Sequence, residues 1–355
     1  MKKFHSLEIE EVYKDTNDCV VLTFKVPQDL HKEFDFIQGQ YLTLKKEING
    51  EELRRSYSLC SNPFDKIWKV AVKGLEGGRF STFANQSLKK GDVIEVHPPE
   101  GNFYVDIDPD RSKDLMAFAA GSGITPIMSI IKTHLSKEPK TTFKLYYLNK
   151  TTDSIIFREE LKSLVSDYDG RLKVYHFLTQ EPHDDELFSG RFSKEKIKKI
   201  AKSICDLDQM SDCFICGPEE MVFTIKDELT ALGVDPKKIH FELFEVSVPI
   251  IIESEGGQET VDNAEITAII DGEEFTFQVS AGTSILEAAE NNDADVPFAC
   301  KGGVCCTCKA KILEGSVNMI VNYGLDDEDL ENNMILTCQS LPTSQKVVVD
   351  YDDIY

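Results

Sequence analysis

Pro297-Phe298-Ala299-Cys300-Lys301-Gly302-Gly303-Val304-Cys305-Cys306-Thr307-Cys308 sets three cysteines in a C-x4-C-x2-C pattern, and Leu336-Thr337-Cys338-Gln339 adds a fourth after 29 intervening residues. Each iron of a 2Fe–2S cluster takes two terminal thiolates beside its bridging sulfides, so Cys300, Cys305, Cys308 and Cys338 form a full ligand set in this spacing. One loop wraps three of the thiols, and a distant strand end delivers the fourth. Gly302 and Gly303 let the backbone come close to inorganic sulfide and aim N–H groups at it. A structural zinc site recruits paired C-x2-C units, and only one such step occurs here. Cys306, beside a ligand, is read as a small buried filler. Taking it in place of Cys305 gives C-x5-C-x-C, which fits no familiar cluster spacing.

Around this loop the composition is that of a globular protein of two or three domains: 355 residues, 41% hydrophobic. No apolar run reaches the roughly 18 residues that a membrane helix needs. The start, Met1-Lys2-Lys3-Phe4-His5-Ser6-Leu7-Glu8, turns polar at once and lacks a signal-peptide core. The six other cysteines (19, 60, 205, 213, 216 and 306) show no disulfide framework. Both features point to a reducing, cytoplasmic setting. The formal net charge of −23 argues against nucleic acid or an anionic membrane as partner. The charge is uneven, with 17 acidic and 4 basic side chains in residues 263–355, a net −13. That quarter is either a solubilising surface or an acidic face that docks on a basic patch of another protein.

Upstream, the rhythm of the chain changes twice. Leu7–Lys14, Val20–Val26, Tyr41–Lys46, Arg54–Leu59, Ile67–Val72 and Val93–Val96 read as short strands split by turn formers such as Asn49-Gly50 and Gly77-Gly78. With one helix at Phe80–Ser87 they predict an antiparallel β-barrel over residues 1–108. From 109 to 245 strands alternate with helices. The strands are Leu115–Ala120, Phe143–Leu148, Leu172–Leu178, Cys213–Ile215 and Ile239–Leu243. The helices are Thr125–Leu135, Ile156–Val165, Lys194–Ala201 and Glu219–Leu232. That alternation predicts a parallel α/β sheet covered on both faces. Residues 246–262, polar and bearing Gly256-Gly257, read as a linker. A small mixed α+β fold follows at 263–355, with strands Ile266–Ile270 and Phe275–Val279 and a helix at Ser284–Asn291 before the cysteine loop.

Ala119-Ala120-Gly121-Ser122-Gly123-Ile124-Thr125-Pro126 joins an apolar strand to a helix. Gly121 and Gly123 make the tight turn, the helix start offers N–H groups to a pyrophosphate, and Thr125 and Pro126 suit the first helical turn. The third glycine of the dinucleotide fingerprint is replaced by Pro126.

Read together, Arg55-Ser56-Tyr57-Ser58, Val72-Lys73-Gly74-Leu75-Glu76-Gly77-Gly78-Arg79-Phe80-Ser81-Thr82, the G-x-G-x-x-P turn and Cys216-Gly217-Pro218-Glu219-Glu220-Met221 resemble the ferredoxin–NADP reductase superfamily. The C-terminal quarter resembles a plant-type ferredoxin, with its β-grasp fold. The order flavin, nicotinamide, ferredoxin resembles the reductase components of multicomponent oxygenases. The resemblance implies an oxidoreductase of electron transport with FAD, a 2Fe–2S cluster and NADPH or NADH. Arg55 is then the partner of the FAD pyrophosphate through its forked donors, Tyr57 lies against the flavin, and Ser58 bonds near N5. Val72, Lys73, Gly78, Ser81 and Thr82 form the second flavin stretch. Cys216, with Gly217 and Pro218, stands beside the nicotinamide. Ser58 and Cys216 are the implied catalytic pair. Lys150, after the second parallel strand, suits a 2′-phosphate and favours NADPH; Gln180 stands where relatives carry a charged residue that does so. The acceptor implied is an oxygenase, di-iron in type, or a desaturase or hydroxylase. A general reductase serving several acceptors and a redox-sensing iron–sulfur flavoprotein are the alternatives.

Overall fold

The computed structural model describes residues 3–244 and 261–353, apart from 293, 295 and 299. Most of the 246–262 linker, including its Gly-Gly step, lies outside the described residues. The chain divides into two compact units: the larger holds the first two sheets, apart from Arg54–Ser56, which group with the smaller, and the smaller holds the third.

The first sheet contains His5–Thr16 (β1), Cys19–Lys25 (β2), Tyr41–Ile48 (β3), Glu51–Ser58 (β4), Trp68–Lys73 (β5) and Val93–Glu100 (β6), in the order β4-β3-β6-β1-β2-β5. Asn49 and Gly50 both have positive φ (56° and 79°), so this pair closes the β3–β4 hairpin in the conformation that matches strand twist. The two edge strands then meet. Leu59, just past β4, bridges Val70 of β5, and Cys60 N–H donates to Lys69 O at 2.9 Å. That contact curls the sheet into the expected barrel. Leu22, Leu42, Leu44, Val70, Val96 and Phe34 fill it, each fully buried. Helix Arg79–Gln86 (α1) plugs one side through Phe80 and Ala84.

The second sheet is parallel. Its elements run Asp114–Ala120 (β7), Ile124–Lys137 (α2), Thr142–Asn149 (β8), Arg158–Asp167 (α3), Leu172–Leu178 (β9), Lys194–Ser203 (α4), Asp212–Gly217 (β10), Glu219–Ala231 (α5) and Ile239–Leu243 (β11). Strand order is β11-β10-β7-β8-β9. The chain therefore builds outward from β7, then returns to β7's other side with β10. A ligand crevice opens at the carboxyl ends of strands where order reverses in this way. Helix α2 is buried along most of its length and is clamped to the barrel. Ser129 Oγ donates to Ser61 O at 2.7 Å and Lys132 Nζ to Cys60 O at 2.8 Å. The residues that follow the Arg55–Ser58 strand are thereby tied to the helix that follows the Gly121–Gly123 turn.

In the smaller unit, Ala264–Ile270 (β12), Glu273–Val279 (β13), Ile285–Asn291 (α6), Lys309–Glu314 (β14), Val317–Met319 (β15), Asp327–Glu331 (α7), Met334–Leu336 (β16), Ser340–Pro342 (β17) and Lys346–Asp350 (β18) make a five-stranded sheet, β13-β12-β18-β14-β16, and a short β15–β17 ribbon. Strands β12 and β18 are parallel and the other described ladders antiparallel, with α6 on the core: the β-grasp arrangement. Ser284 caps α6 through its hydroxyl, which accepts from Glu287 N–H at 3.2 Å.

Candidate functional site

At the switch point, the turn Gly121–Gly123 touches the end of β10. A Cβ at Gly123 would stand 2.1 Å from Cys216 O, so no other residue fits there. Gly217 packs against Ala120 and Met221, where a Cβ would stand 3.1 Å and 2.6 Å from their side chains. This explains the fixed spacing from Cys216 to Met221. Thr125 Oγ1 donates back to Ser122 O at 3.0 Å, Pro126 lies in the first turn of α2, and Pro218 stands just before α5. Tyr147 OH donates to Gly121 O at 2.9 Å and braces the turn. Lys73 of β5 reaches the same turn; its Nζ lies 3.4 Å from the Cβ position of Gly121 and 3.9 Å from Asp18 Oδ2. An ammonium beside exposed N–H groups is a fit for phosphate.

Three polar side chains meet below this crevice. Cys216 and Glu242 are directly paired across β10 and β11. Ser58, at the end of β4, donates to Glu242 Oε2 at 3.4 Å. Burial pushes the Glu242 carboxyl up to about 8, against the opposing pull of the Ser58 hydrogen bond. Burial, then the neighbouring Glu242, pushes the Cys216 thiol well above its usual range. A half-buried carboxyl with its pKa near 8 beside a hydroxyl can both take and release a proton. Sequence reasoning selected Ser58 and Cys216 but missed Glu242. Its signal was an acid between Phe241 and Leu243, in a last strand whose one other polar residue is His240.

The residues expected to hold the flavin sit on β4, on β5, and on α1 with the turn before it. Tyr57 packs on Phe80 of α1, with ring centroids 5.7 Å apart. Arg55 is exposed, and among the described residues it forms no ion pair; its Nη1 donates to Arg54 O at 2.6 Å. Val72 is buried in β5, where its carbonyl accepts from Asn85 Nδ2 at 3.0 Å. Ser81 Oγ donates to Gly78 O at 3.2 Å and accepts from Leu75 N–H at 3.1 Å, so it holds the glycine turn in shape, with Thr82 next to it on α1. Lys150, after β8, is exposed, and its carbonyl accepts from Gln180 N–H at 2.9 Å.

In the smaller unit, the thiols of Cys305, Cys308 and Cys338 are buried and that of Cys300 is exposed. They stand as two interacting pairs, Cys300 with Cys305 and Cys308 with Cys338. Two thiol pairs are what the two irons of a 2Fe–2S cluster would take. Backbone N–H groups converge on the sulfurs: Gly302 and Cys305 on Cys300 Sγ at 3.3 and 3.4 Å, and Cys300 on Cys305 Sγ at 3.4 Å. The Cys305 thiol and these N–H groups lower the Cys300 thiol to about 6, while its partner Cys305 is pushed up. Gln339 Nε2 donates to Lys301 O at 2.9 Å, and Thr337 N–H to Cys308 O at 3.1 Å, fastening the Cys338 segment to the loop. Cys306 is half-buried with φ of 52°, its sulfur packed over Gly324, where a Cβ would come within 2.6 Å.

Comparison with known proteins finds three matching domains along the chain. Residues 6–104 match an oxidoreductase FAD-binding domain, 118–271 an oxidoreductase NAD-binding domain, and 268–343 a 2Fe-2S iron-sulfur cluster binding domain. The chain is 41% identical to one of the subunits of the 1,2-phenylacetyl-CoA epoxidase of Escherichia coli, over 99% of both chains. It is 33% identical to the ferredoxin reductase component of 3-ketosteroid-9-alpha-monooxygenase of Mycobacterium tuberculosis, over 98% of this chain and 96% of that one. Phthalate dioxygenase reductase shares the fold, with a TM-score of 0.60 at 24% identity over 98% of each chain. The chain thus belongs to the reductase components of multicomponent oxygenases, which pass electrons from NAD(P)H through FAD and a 2Fe–2S cluster to an oxygenase.

Proposed function

We propose that the acceptor is a di-iron oxygenase of the phenylacetyl-CoA epoxidase type, with NADPH as the preferred donor and a cytoplasmic setting. The observation that carries this reading is the full-length 41% identity to a component of that epoxidase. FAD, when bound, takes a hydride and returns single electrons, which the iron–sulfur cluster relays. The chain's own residues bind, orient and move protons. Arg55 and Lys73 meet phosphates, Tyr57 packs beside the isoalloxazine, and Gly121, Gly123, Thr125 and Pro126 shape the nicotinamide nucleotide's pyrophosphate turn. Ser58 and Cys216 face the reacting rings. Glu242 exchanges a proton with Ser58 Oγ. The domain limits follow the sequence rhythm: 1–108, 109–245 and 263–355.

The smaller unit's net charge suits a basic docking patch on the oxygenase. Its acids are not equivalent. Asp326 caps α7 by accepting from Asp329 N–H at 2.8 Å, and Asp329 pairs with Lys309 at 3.1 Å. Asp327, Glu328 and Glu331 are the exposed acids of that helix. Reduction of a di-iron epoxidase component should slow as ionic strength rises, because salt screens steering. Asp327→Asn with Glu328→Gln should slow it at low salt and leave flavin reduction unchanged. A rate indifferent to salt, or a cytochrome reduced as fast as the oxygenase, would reject this acceptor reading in favour of a general reductase.

A further inference from the structure

Gly121 and Gly123 are glycines for different reasons. Gly123 has no room for a Cβ, whereas a Cβ at Gly121 would meet only the tip of Lys73, at 3.4 Å. Gly121 is there for its backbone: its φ is 52°, and glycine takes either sign of φ with little penalty. The Gly121–Ser122 peptide can therefore turn over. Being trans, it carries its carbonyl and its N–H on opposite sides, so only one of its two orientations can offer the Ser122 N–H to an anion.

The Gly121 carbonyl is held from two directions. Within the turn it accepts from Ile124 N–H, a donor it shares with Ser122 O. From the sheet it accepts from Tyr147 OH at 2.9 Å. A phenol has one proton, and Ile156 O lies farther from that hydroxyl, at 3.4 Å. The Asn149 amide, closed to solvent, is the hydroxyl's side-chain partner, and the Tyr147 ring is fully buried. Burial pushes the phenol well above its usual range, so it stays a donor. We infer that Tyr147 is a positioning residue for the nicotinamide nucleotide, its hydroxyl latching the Gly121–Ser122 peptide in the orientation that offers the Ser122 N–H to the pyrophosphate. This rests on the reading of Gly121–Gly123 as the pyrophosphate turn. Such a latch is blind to the 2′ position and stands outside the hydride step, so NADPH and NADH should lose affinity alike when it is removed.

The test is anaerobic stopped-flow reduction of the flavin in the full holoprotein over a range of NADPH and NADH, with inorganic pyrophosphate as competitor and a melting temperature for each variant. Tyr147→Phe should raise the half-saturating concentration of both nucleotides by about three- to tenfold, the worth of one hydrogen bond. It should weaken pyrophosphate competition by a similar factor and leave the rate at saturation within about twofold of the parent. Tyr147→Phe also strands the buried Asn149 amide and should melt lower. Joining it to Asn149→Leu removes both partners, so melting should return towards the parent while the raised half-saturating concentrations persist. If affinity returns together with melting, Tyr147 is scaffolding and the inference is overturned. Parent-like half-saturation in Tyr147→Phe, or a rise for one nucleotide alone, would overturn it too. Should Tyr147→Phe fail to fold, the double variant decides. Failure of pyrophosphate to compete with NADPH in the parent would reject the pyrophosphate turn itself, and this inference with it.

Discussion

Glu242 shows how a single side chain can set the pH response of the protein. Its carboxyl, raised by burial to about 8, bonds to Ser58. If Ser58 hands a proton to Glu242, the carboxylate form is the competent one, so electron release from the reduced protein should rise with pH and level off above about 8. Glu242→Gln should flatten that profile and slow the step by on the order of a hundredfold; an unchanged profile in rapid-mixing experiments would remove Glu242 from the proton route. Lys150 makes a smaller contribution. An exposed charge contact is worth about 1 kcal/mol, so Lys150→Ala should raise KM for NADPH several-fold and spare NADH. Equal changes for both nucleotides would dismiss it as a 2′-phosphate contact. A 2Fe–2S domain was legible from cysteine spacing alone, because a cluster constrains sequence distance directly. Glu242 was not, because it joins Ser58 and Cys216 only through the register of β10 against β11, which no local pattern encodes.

Among the elements, α2 does most to join the barrel to the parallel sheet, and its C-terminal end is anchored by a buried carboxylate. Glu138 accepts from Lys113 Nζ at 2.7 Å, Asp108 N–H at 2.8 Å, His134 Nδ1 at 2.9 Å and Thr141 Oγ1 at 2.8 Å. Burial alone would raise its pKa, but the bonds from His134, Asp108 and Lys113 outweigh it and hold the carboxyl at about 2. The stability it adds is therefore complete above its unfolded value of 4.5 and is lost as pH falls from there towards 2. Glu138→Ala leaves Lys113 buried and unpaired, and should cost the larger unit about 3–5 kcal/mol in urea unfolding at pH 7; a loss below 1 kcal/mol would show that the network is not structural. The polar contacts of this anchor were invisible in the sequence, since Lys113, His134 and Glu138 look like surface residues. Regular elements were read nearly to the residue, as with Leu172–Leu178 and Ile239–Leu243. The start of α3 was not. Expected at Ile156, it begins at Arg158, because Asp15 of the barrel accepts from Phe157 N–H at 2.7 Å and holds that residue at φ of 60°.

In the whole molecule, electrons run from the nicotinamide nucleotide through the flavin to the cluster of the smaller unit, then out to the oxygenase. Arg55 apart, the expected flavin and nucleotide residues belong to the larger unit, whose barrel and parallel sheet are clamped through Ser129 and Lys132, whereas the four cysteines belong to the smaller unit. The two functions should therefore separate on mutation. The most direct test is anaerobic stopped-flow reduction by NADPH of the parent protein and of Cys300→Ser, Cys305→Ser, Cys308→Ser, Cys338→Ser and Cys306→Ser, following flavin bleaching and reduction of the oxygenase in the same traces. Each of the four ligand variants should lose the cluster, bleach the flavin at the parent's rate and leave the oxygenase oxidised, and Cys306→Ser should behave as the parent. Oxygenase reduction at the parent's rate in Cys338→Ser, or loss of the cluster in Cys306→Ser with Cys305→Ser unaffected, would contradict the route and its ligand set.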